Sequence, residues 1–275
     1  MKAFSYSVAL LTAGLMLGST TLATDAAAKP PPKKEVVLAD PPMTARPINL
    51  SFPGIVFGMS PDRVATAIDA MIDADYKPKY KDVQPGVQMK ALDAQIAEDK
   101  AAFRRSRIDF GKLPTGLDSS PLKGEFSYNN RETMMQLTRN GENVEFFFIQ
   151  DRLWKIIGEH KLFEKSPYGK DYADSAVKFA TLYGVAGRVL QPDYTSRYAV
   201  EVDWRDSSNH LRLIQRSDTA VGVALEDVGT WQSIASLRVN KPVVDAAIDP
   251  AVAAIMRHDT PPGPPPDADK KKKKK

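Results

Sequence analysis

The chain has 275 residues, 43% hydrophobic, 26% charged and 8% aromatic, which is the balance of a globular protein and not of a disordered or fibrous one. It has no cysteine and three histidines, so disulfides, thiolate metal sites, a cysteine nucleophile and lipidation at cysteine are excluded, and a multi-histidine metal centre lacks ligands. The net charge of +4 belongs to the ends: between Pro47 and Pro266 stand 27 basic and 29 acidic side chains, so nothing in the body of the chain favours nucleic acid.

Met1-Lys2 gives a short basic start, and an apolar run from Val8 to Leu17 follows. Ala26-Ala27-Ala28 or Thr21-Leu22-Ala23 fits a small-x-small cleavage site, so residues 1–28 are expected to be a signal peptide. The apolar run is about half the roughly 20 residues that cross a bilayer as a helix, and no later stretch is longer. The expected product is exported, as a periplasmic, envelope-associated or secreted protein. Residues 29–53, punctuated by Pro30, Pro31, Pro32, Pro41, Pro42, Pro47 and Pro53, read as an extended linker.

A first unit is expected over residues 54–163. Ser60 is a good N-cap with Pro61 at the first helical position, and Val64, Ala67, Ile68, Met71 and Ile72 recur at helical spacing. Met89, Leu92, Ile96 and Phe103 mark a second helix. The period then shortens: Arg107–Phe110, Glu125–Asn129, Thr133–Arg139, Val144–Ile149 and Leu153–Ile157 read as strands. Asn140-Gly141 and Gln150-Asp151-Arg152 form the corners between the last three. Asp73-Ala74-Asp75 imitates the start of a calcium loop, but Lys77 and Lys79 stand where further oxygens are needed. Glu159-His160 reads as an exposed edge.

A second unit, residues 164–258, begins with Ser166-Pro167 as a helix start. The stripe Tyr172, Ala176, Phe179, Ala180 and Tyr183 follows, with Gly184 as C-cap. Strands are expected at Gly187–Leu190, Tyr198–Trp204, Leu211–Arg216 and Ala220–Leu225, then short helices at Trp231–Leu237 and Val243–Met256. The pattern around Val144-Glu145-Phe146 and Leu153-Trp154-Lys155 is echoed at Val200-Glu201-Val202 and Leu211-Arg212-Leu213. The expected class is α+β: helices packed on antiparallel β-meanders, with tandem duplication of a helix-plus-sheet unit. Residues 259–275 close the chain as a proline-rich tail. Its lysines Lys270, Lys271, Lys272, Lys273, Lys274 and Lys275 repel one another and suit an anionic surface.

No G-x-S-x-G, H-E-x-x-H, Walker loop or G-x-G-x-x-G is present, so no catalytic residue, cofactor or metal is assigned. The alternative is a secreted or periplasmic hydrolase using Asp203, Asp206, His210 or Glu159, of which the first three bracket one hairpin corner. Phe146-Phe147-Phe148 is apolar on both faces of one strand, so its second face is either covered or meets a partner. On the second option the contact residues are Phe147, Arg152, Trp154, Trp204 and Arg212, and the protein is a non-enzymatic envelope protein meeting another protein or an envelope surface through a β-sheet face.

Phe57-Gly58-Met59-Ser60-Pro61-Asp62-Arg63-Val64, with the Leu153-Trp154-Lys155-Ile156 strand, resembles the helix-then-hairpin plan of the SmpA/OmlA-type small lipoproteins of β-barrel assembly. Two such units in one chain are similar to the β-lactamase-inhibitor-protein fold. The resemblance implies a non-catalytic, protein-binding scaffold. The lipidated cysteine of those lipoproteins is missing, and residues 77–125 form an insertion.

Overall fold

The computed structural model describes residues 39–49, 52–111, 122–139, 141–193 and 197–240. The expected signal peptide, the helix expected at Val243–Met256, most of the loop expected at Leu113–Gly124 and Lys270 to Lys275 lie outside the described residues.

Ser60 caps α1 (Pro61–Tyr76) by accepting the Arg63 N–H, and the helix buries Val64, Ile68 and Ile72. A short 3₁₀ turn (Lys77–Lys81) leads to α2 (Val87–Arg105), which buries Ile96 and Phe103. Four strands follow: β1 (Ile108–Asp109), β2 (Glu132–Arg139), β3 (Glu142–Ile149) and β4 (Arg152–Lys161). Then come α3 (Tyr172–Tyr183), β5 (Arg188–Leu190), β6 (Glu201–Arg205), β7 (Asn209–Ser217), β8 (Ala220–Asp227) and α4 (Val228–Leu237). The class is α+β.

All eight strands form one antiparallel sheet in the order β1-β2-β3-β4-β8-β7-β6-β5. Each half is a meander preceded by helix, and the last strands of the two meanders, β4 and β8, pair over seven residues at the seam. The structural repeat therefore sets β3–β4 against β7–β8. The sequence echo, which sets β3–β4 against β6–β7, is offset by one strand.

Helices α1, α2 and α3 lie on one face. Phe103 of α2 meets Phe146 of β3 edge-on, with centroids 5.7 Å apart, while Phe179 and Tyr183 of α3 pack on Trp204. Register places Ile156 opposite Leu225 across the seam, so both apolar layers are on the same side. The opposite face carries a third cluster (Phe110, Phe126, Met134, Phe147, Trp154, Ile157) beneath α4. This explains Phe146-Phe147-Phe148: both faces of β3 are covered, so alternation disappears.

Several expectations are corrected. Residues 125–129 form turns, not a strand; Phe126 and Phe110 stack at 3.7 Å in that loop. The second-unit helix starts at Tyr172 with Asp171 as its cap, accepting the Asp174 N–H, whereas Ser166 is a buried loop residue. Gly184 does end α3, at φ +75°. β4 is a central strand, so Glu159-His160 is not at an edge. The C-terminal part of the 29–53 linker is a docked strap. Met43 forms a parallel bridge with Arg205, Ala45 donates to the Tyr183 carbonyl, and Ile48 is 1% exposed. The strap then reaches the first half, where Gly58 and Met59 hydrogen-bond Leu153 of β4.

Candidate functional site

Below α4, the seam carries a layer of charge. Successive strand residues point to opposite faces, and on the α4 side this parity collects Lys155 from β4, Glu226 from β8, His210 and Arg212 from β7, and Glu201 and Asp203 from β6. Glu125 enters from the loop before β2. Its carboxylate lies 2.9 Å from Lys155 Nζ and 2.5 Å from Arg212 Nη2. Lys155 also donates to the Glu125 carbonyl. Arg212 reaches Glu201 at 3.1 Å and Glu226 at 2.7 Å.

His210 completes the layer. Its Nδ1 lies 2.7 Å from Glu226 Oε2 and its Nε2 lies 3.1 Å from Asp203 Oδ2, while Arg188 of β5 holds the same Asp203 oxygen at 2.5 Å. Asp203, His210 and Glu226 are at most 2% exposed, and the Trp231 indole stacks on the imidazole.

The electrostatics follow from this pairing. Burial alone would lower the His210 pKa, but hydrogen bonds to Asp203 and Glu226 outweigh it, so the imidazolium is favoured. Burial opposes ionised Glu226, yet Arg212 and His210 hold its carboxyl down at about 2. The same contest keeps Glu125 well below the carboxylate range, against its burial, through Arg212 and Lys155. Burial pushes Lys155 down in spite of Glu125 and Glu226. Glu201 is raised by burial, only partly offset by Arg212.

Chemically this is a closed set. A general acid or base must reach the proton it transfers in a bound substrate, with room for that substrate. Three cavities among the described residues lie elsewhere, and Asp203, His210 and Glu226 line none of them. Among the described residues, no group of three or more His, Asp or Glu side chains is arranged to hold a metal ion.

The sequence grouping of Asp203 with His210 is present in the structure, but Asp206 does not join it. Asp206 instead accepts the N–H groups of Ile48, Ser208 and Asn209 and so fixes the β6–β7 corner to the strap. Glu159 is exposed on β4, away from the imidazole. Asp73 and Asp75 pair with Lys100 and Arg139, not with a common ligand.

Of the expected contact residues, Phe147, Trp154 and Trp204 are at most 3% exposed and are core side chains; Trp204 lies on the helical face and the other two under α4. Arg212 is held inside the ion layer, and Arg152 alone is exposed. Lys270 to Lys275 lie outside the described residues. Glu125, Lys155, Glu201 and Glu226 escape the sequence reading. Their signal is charge of both signs recurring at alternate positions of otherwise apolar strands, as in Glu201-Val202-Asp203 and His210-Leu211-Arg212.

On the helical face, the seam forms a groove of about 390 Å³. Val144, Ile156, Val223 and Leu225 floor it, Phe52 and Phe179 flank it, and the mouth holds Glu142 and His160, the latter stacked on Tyr168 at 3.7 Å. No helix among the described residues is long and apolar enough to cross a membrane. Compared with protein-family models, curated proteins and solved structures, the chain matches none.

Proposed function

We propose that this is an exported, non-enzymatic protein of the cell envelope that binds another protein through its sheet. The observation supporting this most directly is the closed ion layer. The buried Asp203–His210–Glu226 cluster is spent on arginines, a lysine and itself under the Trp231 roof, and the charge is used to join the two halves. A long continuous sheet of two repeated meanders offers a macromolecule a rigid surface, and the lysine tail adds an electrostatic contact with anionic envelope components.

The test is affinity capture by the full chain from an envelope fraction of its native host, at low and high salt, with and without Lys270 to Lys275. A discrete, saturable protein partner is the expected result, with the tail-dependent share lost at high salt. Turnover of ester or glycoside substrates that disappears in His210→Ala, with no partner recovered, would overturn the proposal.

A further inference from the structure

We infer that the outer edge of β2 is a strand-addition site for an extended, acidic-flanked segment of a partner protein. This rests on the protein-binding reading above and names its contact. β1 covers only Thr133 and Met134 of β2. Even-numbered residues turn their backbone groups outward: the Glu132 carbonyl accepts the Phe110 N–H, and the Gln136 N–H is taken by the Ser106 hydroxyl. By the same parity the next outward residue is Thr138, which is exposed. No backbone partner reaches it from the outer side among the described residues. An open strand edge is a template for another chain.

The second half shows what fills the corresponding vacancy. There β5 stops at Asp203 of β6, and the strap takes the next outward residue: Arg205 donates to the Pro42 carbonyl and its own carbonyl accepts the Thr44 N–H. That is a parallel strand addition, made by a segment distant in sequence. The first half has a similarly truncated edge strand, and no added segment lies along it among the described residues.

Beside the open edge lies a trough of about 490 Å³ between β2 and the ends of α1 and α2, with Ile72, Phe103 and Leu137 at its base. It would take one side chain of an added strand, which points to an apolar residue there. The charge around it selects the flanks. Asp75 is held by Arg139 and Asp99 by Tyr76, so the trough's own acids are satisfied. Lys79 lines the trough and lies over the Tyr76 ring at 4.0 Å, and Lys77 and Lys81 flank it in the 3₁₀ turn; all three are exposed and none is in an ion pair among the described residues. An incoming strand with acidic residues around its apolar centre complements them.

The probe is the synthetic peptide Asp-Glu-Val-Thr-Val-Glu-Asp, added to the full chain with amide hydrogen exchange and fluorescence anisotropy as readouts. The expected result is a Thr138 amide that exchanges freely in the free protein and is protected at least tenfold by peptide. Binding should weaken by about tenfold or more in Thr138→Pro and in Lys77→Glu/Lys79→Glu/Lys81→Glu. Proline is tolerated at an outward-facing edge position, and the lysine variant alters only exposed side chains, so both should fold. Equal binding of the charge-swapped peptide Lys-Lys-Val-Thr-Val-Lys-Lys, or no protection at saturating peptide, overturns the inference. So does a Thr138 amide already protected without peptide, whether by a second copy (concentration-dependent) or by the chain's own terminal segments (concentration-independent). In the envelope capture, a partner recovered equally by wild type and Thr138→Pro overturns the edge assignment and leaves the broader reading standing. Recovery of no partner by the wild type overturns the broader reading itself.

Discussion

The Trp231 indole lies on the His210 imidazole with ring centroids 4.0 Å apart and planes inclined by 29°. One helix of modest burial thus closes a histidine that is hydrogen-bonded at both nitrogens to carboxylates. The arrangement favours a trapped imidazolium, and its consequence is a stability term with a definite pH signature.

His210→Ala removes the cation shared by Asp203 and Glu226 and opens a void under Trp231. Breaking a buried ion pair from one side costs about 3–5 kcal/mol. Because burial is outweighed by the carboxylate hydrogen bonds and the folded pKa is raised from 6.5, this stabilisation is fully present below that value and fades as pH rises through the folded one. Urea titrations should therefore show a larger loss near pH 6 than near pH 9. Equal losses would mean that folding does not raise the His210 pKa.

Glu145 gives the opposite lever. Burial, with help from Glu159 and against Arg216, pushes its carboxyl up to about 7 from 4.5. The fold prefers the protonated form, so its contribution is full below pH 4.5 and declines until pH 7. Glu145→Gln mimics that form and keeps the contact with Gln136. It should raise the melting temperature near pH 8, with a ceiling of about 3 kcal/mol, and leave it unchanged near pH 4. No gain at the higher pH would refute the assignment.

The aromatic residues separate packing from contact. Trp154→Ala and Trp204→Ala each vacate a buried indole and should cost about 3–5 kcal/mol in chemical denaturation. Arg152→Ala, on the exposed end of β4, should stay within about 0.5 kcal/mol. A Trp204 variant of wild-type stability would show that the α3 layer is not a core.

The strap is tested at Ile48, which is buried, donates its N–H to Asp206 and accepts the Asn209 side-chain N–H at its carbonyl. Ile48→Ala should cost about 2–4 kcal/mol and speed proteolysis between Asp40 and Phe52. A freely solvated linker would register neither change.

Local chemistry made much of this fold legible. Although Ser166-Pro167 stays in a loop, Ser60-Pro61 starts a helix because a hydroxyl acceptor and a preset φ suit a helix N-terminus. Gly184 ends one because its left-handed φ suits a residue without a Cβ. The seam was not legible, because pairing Lys155 with Glu226 depends on how two units dock, and no local pattern encodes it. For the same reason the sequence left open whether Trp154 and Phe147 are covered or meet a partner, while α4 and the Phe110–Phe126 stack supply the cover from far along the chain. The candidate site was half visible. Asp203 and His210 face each other across neighbouring strands, but Glu125 arrives from a loop mistaken for a strand.

The strand order carries one further consequence. β8 is the last strand in chain order among the described residues, yet it sits in the middle of the sheet between β4 and β7. A nascent or translocating chain that has not delivered residues 220–227 presents two raw edges at once, each seven or eight pairings long. Such a chain is exposed to sticking until β8 is delivered, so a holding chaperone would be needed most at that stage. Insertion of this keystone converts two half-sheets into one cooperative unit.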